Sequence, residues 1–229
     1  MDSKNGVIPY VMEDISMSKR ELHVGVVGLG GRGYSLLRDI MCGREGVHIV
    51  AVCDLYADRA EAGAEAVKEV NGNTPKVFTD YKELLKLEEV DTVVVTAAWE
   101  AHIPVCIDAM LAGKAVASEV GGAYSVEQCW DLVRTAEKTG MPCMMLENCC
   151  YGRDELMVLN MVKKGLFGQI VHCEGGYQHD LRNEISFGRE NRHYRLRNYM
   201  SRNCENYPTH EIGPIAKLLD INNGNRFLS

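Results

Sequence analysis

From residue 22 onward, short apolar runs alternate with amphipathic stretches. LHVGVVGLG (22–30) is a buried-strand pattern ending in glycines, and YSLLRDIM sets Leu36, Leu37, Ile40 and Met41 at helical spacing. VHIVAVCD (47–54) predicts a second strand. The alanine-rich ADRAEAGAEAVKEV behind it predicts a helix ended by Asn71-Gly72. VFTD and a short helix YKELLKL follow, and DTVVVTAA (91–98) is the clearest central strand. IPVCIDAMLAGK predicts a helix with Pro104 in its first turn and Gly113 just past its end. KAVASEV predicts a fifth strand. Ser125 and Gln128 form a capping-box pattern before VEQCWDLVRTAEKTG, and PCMMLEN predicts a sixth strand.

Repeated strand–helix alternation with continuously apolar strands specifies an α/β fold, a doubly wound parallel sheet of the Rossmann type. Residues 22–150 hold a complete unit of this kind, preceded by an N-terminal extension (1–21). Beyond residue 150 the pattern changes. RDELMVLNMVKKG predicts an amphipathic helix stopped at Gly165, and QIVHCEGGYQHD predicts an extended strand. The arginine-rich stretch 181–206 has no periodicity, and HEIGPIAKLLD predicts a last helix. One strand beside helices cannot close a sheet, because roughly three strands are the usual minimum. Residues 151–229 are therefore expected to be the start of a truncated α+β domain.

Charge narrows the classes of function. The 229 residues carry 25 Lys and Arg against 32 Asp and Glu, a net charge of −7. Nothing in that balance recommends nucleic acid or an anionic membrane as partner. No apolar run reaches the roughly 18 residues of a membrane span. The first twenty residues lack a signal-peptide core, so a cytoplasmic location is expected. Nine cysteines occur without Cys-x-x-Cys or zinc-like spacing, which reads as reduced core thiols and no metal centre.

The candidate chemistry begins at Gly28-Leu29-Gly30-Gly31-Arg32-Gly33, a GxGxxG string between a strand and a helix. Gly28 permits the tight turn, Gly30 the approach of a pyrophosphate to the helix N-terminus, and Gly33 close helix–strand packing. Asp54 ends the second strand, where an acid binds the adenosine ribose diol and repels a 2′-phosphate, favouring NAD over NADP. Arg59 nearby reads as a solvated surface charge. Ligands of such sheets bind beyond the carboxyl ends of the strands. Those ends carry Thr96 to His102, Glu119 with Val120, and Glu147 with Asn148. Trp99 and His102 either contact the cofactor or pack the following helix.

GLGGRG, AVCD and VTAAWEAHIPVCIDAMLAGKAVASEV resemble the glucose-fructose oxidoreductase/inositol dehydrogenase/MocA (Gfo/Idh/MocA) superfamily. LENCCYGRDELMVLNMVKKGLFGQIVHCEGGYQHDLR and NYPTHEIGPIAKLLDINNGNRF narrow the resemblance to glycoside hydrolase family 109, the NAD-dependent α-N-acetylgalactosaminidases. Superfamily dehydrogenases carry Glu-Lys-Pro after the fifth strand, whereas this chain has Glu119-Val120-Gly121, as expected of the glycosidase branch. The resemblance implies NAD⁺ chemistry unlike hydrolysis by paired carboxylates. A hydride leaves C3 of the sugar, a base removes the C2 proton, and the glycosidic bond breaks by elimination. Water then adds and the hydride returns.

By the same resemblance, Tyr177, His179, Tyr207 and His210 are the catalytic positions. Gly28, Gly30, Arg32, Gly33, Asp54, Trp99, His102, Glu119, Val120, Asn148, Arg195 and Tyr207 are the cofactor-binding positions, with Arg192 and Arg197 close enough to compete with Arg195. The implied partner is a small glycoside, with self-association through the C-terminal sheet of a longer parent. A net sugar oxidoreductase and an inactive nucleotide-binding fragment are the competing readings.

Overall fold

The computed structural model describes residues 21–187, 190–203 and 207–228. The first twenty residues of the expected extension, and Cys204, lie outside them. Six strands form one sheet: β1 (Leu22–Val27), β2 (Val47–Cys53), β3 (Lys76–Phe78), β4 (Thr92–Val95), β5 (Ala115–Ser118) and β6 (Cys143–Met145). Every neighbouring pair is parallel, in the order β3-β2-β1-β4-β5-β6. The chain winds from the middle to one edge and then to the other. Its direction of travel therefore reverses between β1 and β4, and a crevice opens at their carboxyl ends.

The pleat sends alternate side chains to two cores. Val24 and Val26 pack with Leu37, Ile49, Val52, Ala60 and Val67 on one face. Val27, Cys53, Val93 and Val95 pack with Leu84, Val105 and Met110 on the other. Burial on both faces explains why the strands read as continuous apolar runs rather than alternating ones. Burial also pushes the Cys53 and Cys106 thiols up to about 12. The described cysteines are all free thiols, but only Cys42, Cys53, Cys106 and Cys150 are buried in the core; Cys143, Cys149 and Cys173 are half-buried and Cys129 is exposed.

The connecting helices are α1 (Gly31–Ser35), α2 (Ala57–Asn71), α3 (Tyr81–Leu85), α4 (Trp99–Leu111) and α5 (Val126–Thr139). α1 runs directly into a π-helical stretch, Leu36–Met41. Gly72 and Gly140 close α2 and α5 in the left-handed conformation, at φ 80° and 69°. Two expectations need correcting. α4 begins at Trp99, so Pro104 lies inside it rather than in its first turn. Burial of Trp99 and His102 outweighs the backbone hydrogen bond that proline omits. At α5 the Ser125 hydroxyl accepts from Gln128 N at 3.2 Å, but the Gln128 side chain accepts from Tyr124 N, one residue before the box position.

After residue 150 the described chain forms α6 (Arg153–Lys163), α7 (Arg182–Ile185), α8 (Arg195–Ser201) and α9 (Pro208–Leu218). α6 packs on α9, and Gly165 ends α6 at φ 72°. The strand expected over 169–180 is not formed, since no described strand lies beside it to complete a ladder. The aperiodic arginine-rich stretch holds two short helices, α7 and α8. Among the described residues no helix is long and apolar enough to cross a membrane.

Candidate functional site

The glycine turn is built by close approach of backbones. Gly28 has φ 101°, and a Cβ there would lie 2.3 Å from Ala97 N. A Cβ on Gly33 would lie 2.0 Å from the Gly28 carbonyl oxygen, which also accepts from the Thr96 hydroxyl. Both positions require glycine. At Gly30 an added Cβ would meet only Arg59 Nη1, at 3.9 Å, and at Gly31 nothing within 4 Å. The start of α1 thus presents open, Cβ-free backbone to the crevice.

Asp54 is 8 % exposed, and both of its oxygens are engaged. Oδ2 accepts from Leu29 N at 2.7 Å and Oδ1 from Tyr56 N at 2.9 Å. One carboxylate therefore holds the glycine turn and the β2–α2 turn together, with lone pairs to spare. Two guanidinium groups lie over the Tyr56 ring, Arg59 at 4.9 Å and Arg192 at 4.5 Å. Arg192 forks onto Asp58 at 2.9 and 2.8 Å, and that bond holds the Asp58 carboxyl below its usual range. Arg59 is not merely solvated, because it donates to the Asn191 carbonyl at 3.2 Å.

Across the crevice, Arg32 Nε donates to Glu119 Oε1 at 2.8 Å, while Glu119 Oε2 accepts from Val120 N at 3.1 Å. This links the first turn of α1 to the end of β5. Val120 is buried, and Asn148 is exposed, with its carbonyl accepting from Tyr151 N at 3.2 Å. Trp99 is buried, and its indole Nε1 has no hydrogen-bond partner among the described residues. Gly121 makes room for that ring, since a Cβ there would lie 2.7 Å from Nε1. His102 is 2 % exposed, with Nε2 2.9 Å from the Ala97 carbonyl and Nδ1 3.4 Å from the Ser118 hydroxyl. Burial pushes its pKa down, so the ring is neutral. Both nitrogens face protein, and the ring braces the β4 and β5 loops.

The segment after residue 150 brings four of the named side chains together. Tyr177 lies with its ring centroid 4.5 Å from that of His179, 5.6 Å from Tyr207 and 4.4 Å from His210. Tyr207 stacks on His210 at 5.2 Å. Trp99 meets Tyr194 at 5.1 Å and Tyr207 at 5.4 Å in T-shaped contacts, which sets the cluster at the end of β4. Of the three competing arginines, only Arg195 enters it. Arg195 Nη2 donates to the Tyr207 hydroxyl at 2.6 Å, whereas Arg192 pairs with Asp58 and Arg197 with Glu100. Burial works against the Arg195 charge, but Tyr194 and Tyr207 beside it more than offset this, and the guanidinium stays protonated. Burial also pushes the Tyr177 and Tyr194 hydroxyls up.

Glu147, which the sequence offered only as a strand-end acid, completes the group. Its Oε1 lies 2.7 Å from His210 Nδ1 and accepts from Cys149 N at 2.8 Å. The two side chains are 6 % and 7 % exposed, and Glu147 Oε2 is buried with no partner among the described residues. The one available signal was its position just past β6, on the crevice side of the sheet.

Residues 22–147 match the sequence model of the oxidoreductase family with an NAD-binding Rossmann fold, and residues 151–229 match that of the glycosyl hydrolase 109 C-terminal domain. The chain belongs to the Gfo/Idh/MocA oxidoreductase family, in its glycoside hydrolase 109 branch. It is 42 % identical over 215 residues to glycosyl hydrolase family 109 protein 1 of Shewanella sp. strain ANA-3, covering 91 % of this chain and 47 % of that one. It is 40 % identical over 211 residues to an alpha-N-acetylgalactosaminidase of Shewanella oneidensis, covering 90 % and 46 %. The chain spans about half the length of the curated relatives it matches.

Among solved structures, the apo scyllo-inositol dehydrogenase of Lactobacillus casei superposes with TM-score 0.60 at 19 % identity, covering 67 % of this chain and 44 % of that one. The 3-ketoreductase KijD10 of Actinomadura kijaniata, in complex with NADP, gives 0.57 at 22 %, covering 66 % and 46 %. At these identities the likeness is one of fold.

The geometry of this family 109 chain fits the cofactor of its Rossmann domain. Backbone at Gly30 and Gly31 is open, the Asp54 carboxylate is fixed at the end of β2, and the buried Trp99 Nε1 is a donor without a partner.

Proposed function

We propose that this chain carries the nucleotide site and the facing sugar site of an NAD-dependent glycosidase acting on terminal N-acetylgalactosaminides, with no net redox change. The observation that carries this reading is the convergence of Tyr177, His179, Tyr207 and His210 with Arg195 at the end of β4. The name of the Shewanella oneidensis relative supports the substrate class.

Gly30 and Gly31 would take the pyrophosphate, Asp54 the adenosine ribose, and Trp99 Nε1 a polar group of the bound cofactor. When bound, NAD supplies reversible hydride acceptance at a sugar carbon. The rest is proton management by the chain. Arg195 donates to the Tyr207 oxygen, which stabilises negative charge there and frees the phenolic proton to move to and from a sugar hydroxyl. The Glu147 carboxylate only accepts, so the proton of His210 is held on Nδ1 and Nε2 is left as a base. Tyr177 keeps its proton because burial raises its pKa, which suits it to donate to a leaving oxygen. His179, against Tyr177, serves as a second acid–base group.

A net sugar oxidoreductase is the alternative suggested by the fold family. Against it, the position after Glu119 holds Val120, with no lysine to transfer a proton. The test is incubation with an aryl N-acetylgalactosaminide in deuterated water. Aglycone release with deuterium at C2 and no accumulated NADH is expected. NADH accumulating with an oxidised sugar would establish the oxidoreductase reading instead. Bound nucleotide with neither product would leave a nucleotide-binding chain.

A further inference from the structure

Glu147, Cys149 and His210 place one carboxylate oxygen, one thiol sulfur and one ring nitrogen all within 4.8 Å of one another. These are three of the ligand types that zinc takes. Their spacing in sequence gave no sign of it, because His210 comes from α9, 63 residues after Glu147. The Glu147 and His210 side chains are more than nine-tenths buried, and Glu147 Oε2 has no partner of its own among the described residues. An unpartnered carboxylate oxygen in such a place is costly and calls for a ligand.

We propose that these three side chains bind a divalent ion of the zinc class, and that the bound ion turns His210 off as a proton acceptor. The second half rests on the function proposed above; the first does not. Zinc bonds of about 2.0–2.3 Å need tetrahedral ligands roughly 3.3–3.7 Å apart, so the 2.7 Å His210–Glu147 contact must open and the ligand atoms, now all within 4.8 Å of one another, must adjust to that spacing. Glu147 can bind through Oε2 while Oε1 keeps its bond from Cys149 N.

The proton balance is definite. The ion takes His210 Nδ1, so the imidazole proton moves to Nε2. It also takes the Cys149 sulfur as thiolate, and that proton goes to solvent. Each ion bound therefore releases one proton, and a +2 ion meets two negative ligands and one neutral one, which leaves no net charge in a half-buried pocket. With its proton on Nε2, His210 is a donor there and cannot act as base. A fourth position remains for water.

The test uses the chain as it stands, titrated with Co²⁺ and then with Zn²⁺. One saturating site is expected, with a cobalt–thiolate charge-transfer band, displacement by zinc, and about one proton released per ion. Cys149→Ser retains the backbone donor to Glu147. It should abolish the band and weaken zinc binding by about 100-fold or more, beyond the usual effect of losing an outer-shell partner. Cys129→Ser, at the exposed thiol, should change neither. A band that survives Cys149→Ser, or binding that never saturates, overturns the site. In glycosidase assays zinc should inhibit the unaltered protein and spare Cys149→Ser. Equal inhibition of both overturns the switch. Zinc bound through Cys149 in a protein that never cleaves the glycoside upholds the site and overturns the proposed function.

Discussion

The Arg195 guanidinium donates to the Tyr207 hydroxyl at 2.6 Å, a bond that ties α8 to the residue just before α9 at the mouth of the crevice. If it stabilises a developing tyrosinate, its loss should be felt in turnover. A hydrogen bond to a charged group contributes roughly 1.5–3 kcal/mol, or about 10- to 100-fold in rate. Arg195→Lys is therefore expected to lower kcat by that factor and to leave the NAD dissociation constant nearly unchanged. Parallel losses in both quantities would assign Arg195 to cofactor binding alone.

Asp54 should have a double effect. Asp54→Ala removes the acceptor proposed for the ribose, so NAD binding should weaken about tenfold or more, with less discrimination against NADP. It also strands the buried Leu29 N–H, at a cost of about 1–3 kcal/mol. For a chain of this size that lowers Tm by roughly 2–4 °C per kcal/mol. Calorimetry and nucleotide titration together check this, and an unchanged Tm contradicts the assigned bond.

Acidification should act through His102. Burial holds its pKa below the ordinary 6.5, so below that pH the unfolded chain binds a proton that the folded chain refuses. Stability is unaffected by this group above pH 6.5 and falls as pH drops below it, by at most about 1.4 kcal/mol per pH unit, until the folded pKa is reached. Denaturation midpoints measured across that range should show a flatter dependence for His102→Gln. An identical slope in the variant would remove His102 as the source.

Gly33→Ala should disrupt the nucleotide turn, because the new methyl group would lie 2.0 Å from a backbone oxygen that cannot swing away. Overpacking of this kind costs typically 1–3 kcal/mol or more. Gly43→Ala, with nothing within 4 Å, should stay within about 0.5 kcal/mol of the parent. Equal stability of the two variants would mean that the turn relaxes freely.

The sheet was legible because its strands are buried on both faces, which leaves runs such as IVAVC (49–53) with no polar interruption. What sequence could not supply were pairings across long separations. The start of α4 was missed because Trp99 and His102 are anchored by Gly121 and Gly122, from a different loop. Three arginines between 192 and 197 looked equivalent until their partners Asp58, Tyr207 and Glu100 were in place. Glu147 carries no local mark of its pairing with His210. The strand expected over 169–180 failed for the opposite reason: local pattern predicts an extended chain, but a strand exists only with a neighbour.

Among the contacts that the residues after 150 make with the Rossmann unit, ion pairs and ring contacts respond differently to salt. Arg192 with Asp58, near Tyr56, and Arg197 with Glu100, next to Trp99, are the exposed ion pairs. Tyr194 and Tyr207 make the T-shaped ring contacts with Trp99. Salt screens exposed pairs over a Debye length of about 8 Å at physiological ionic strength, while strongly hydrated salts reinforce apolar burial. Ionic strength therefore acts on these two kinds of contact in opposite directions. In a sulfate medium the guanidinium pairs weaken as the aromatic contacts tighten, so the weight of this interface shifts from its charged contacts to its rings.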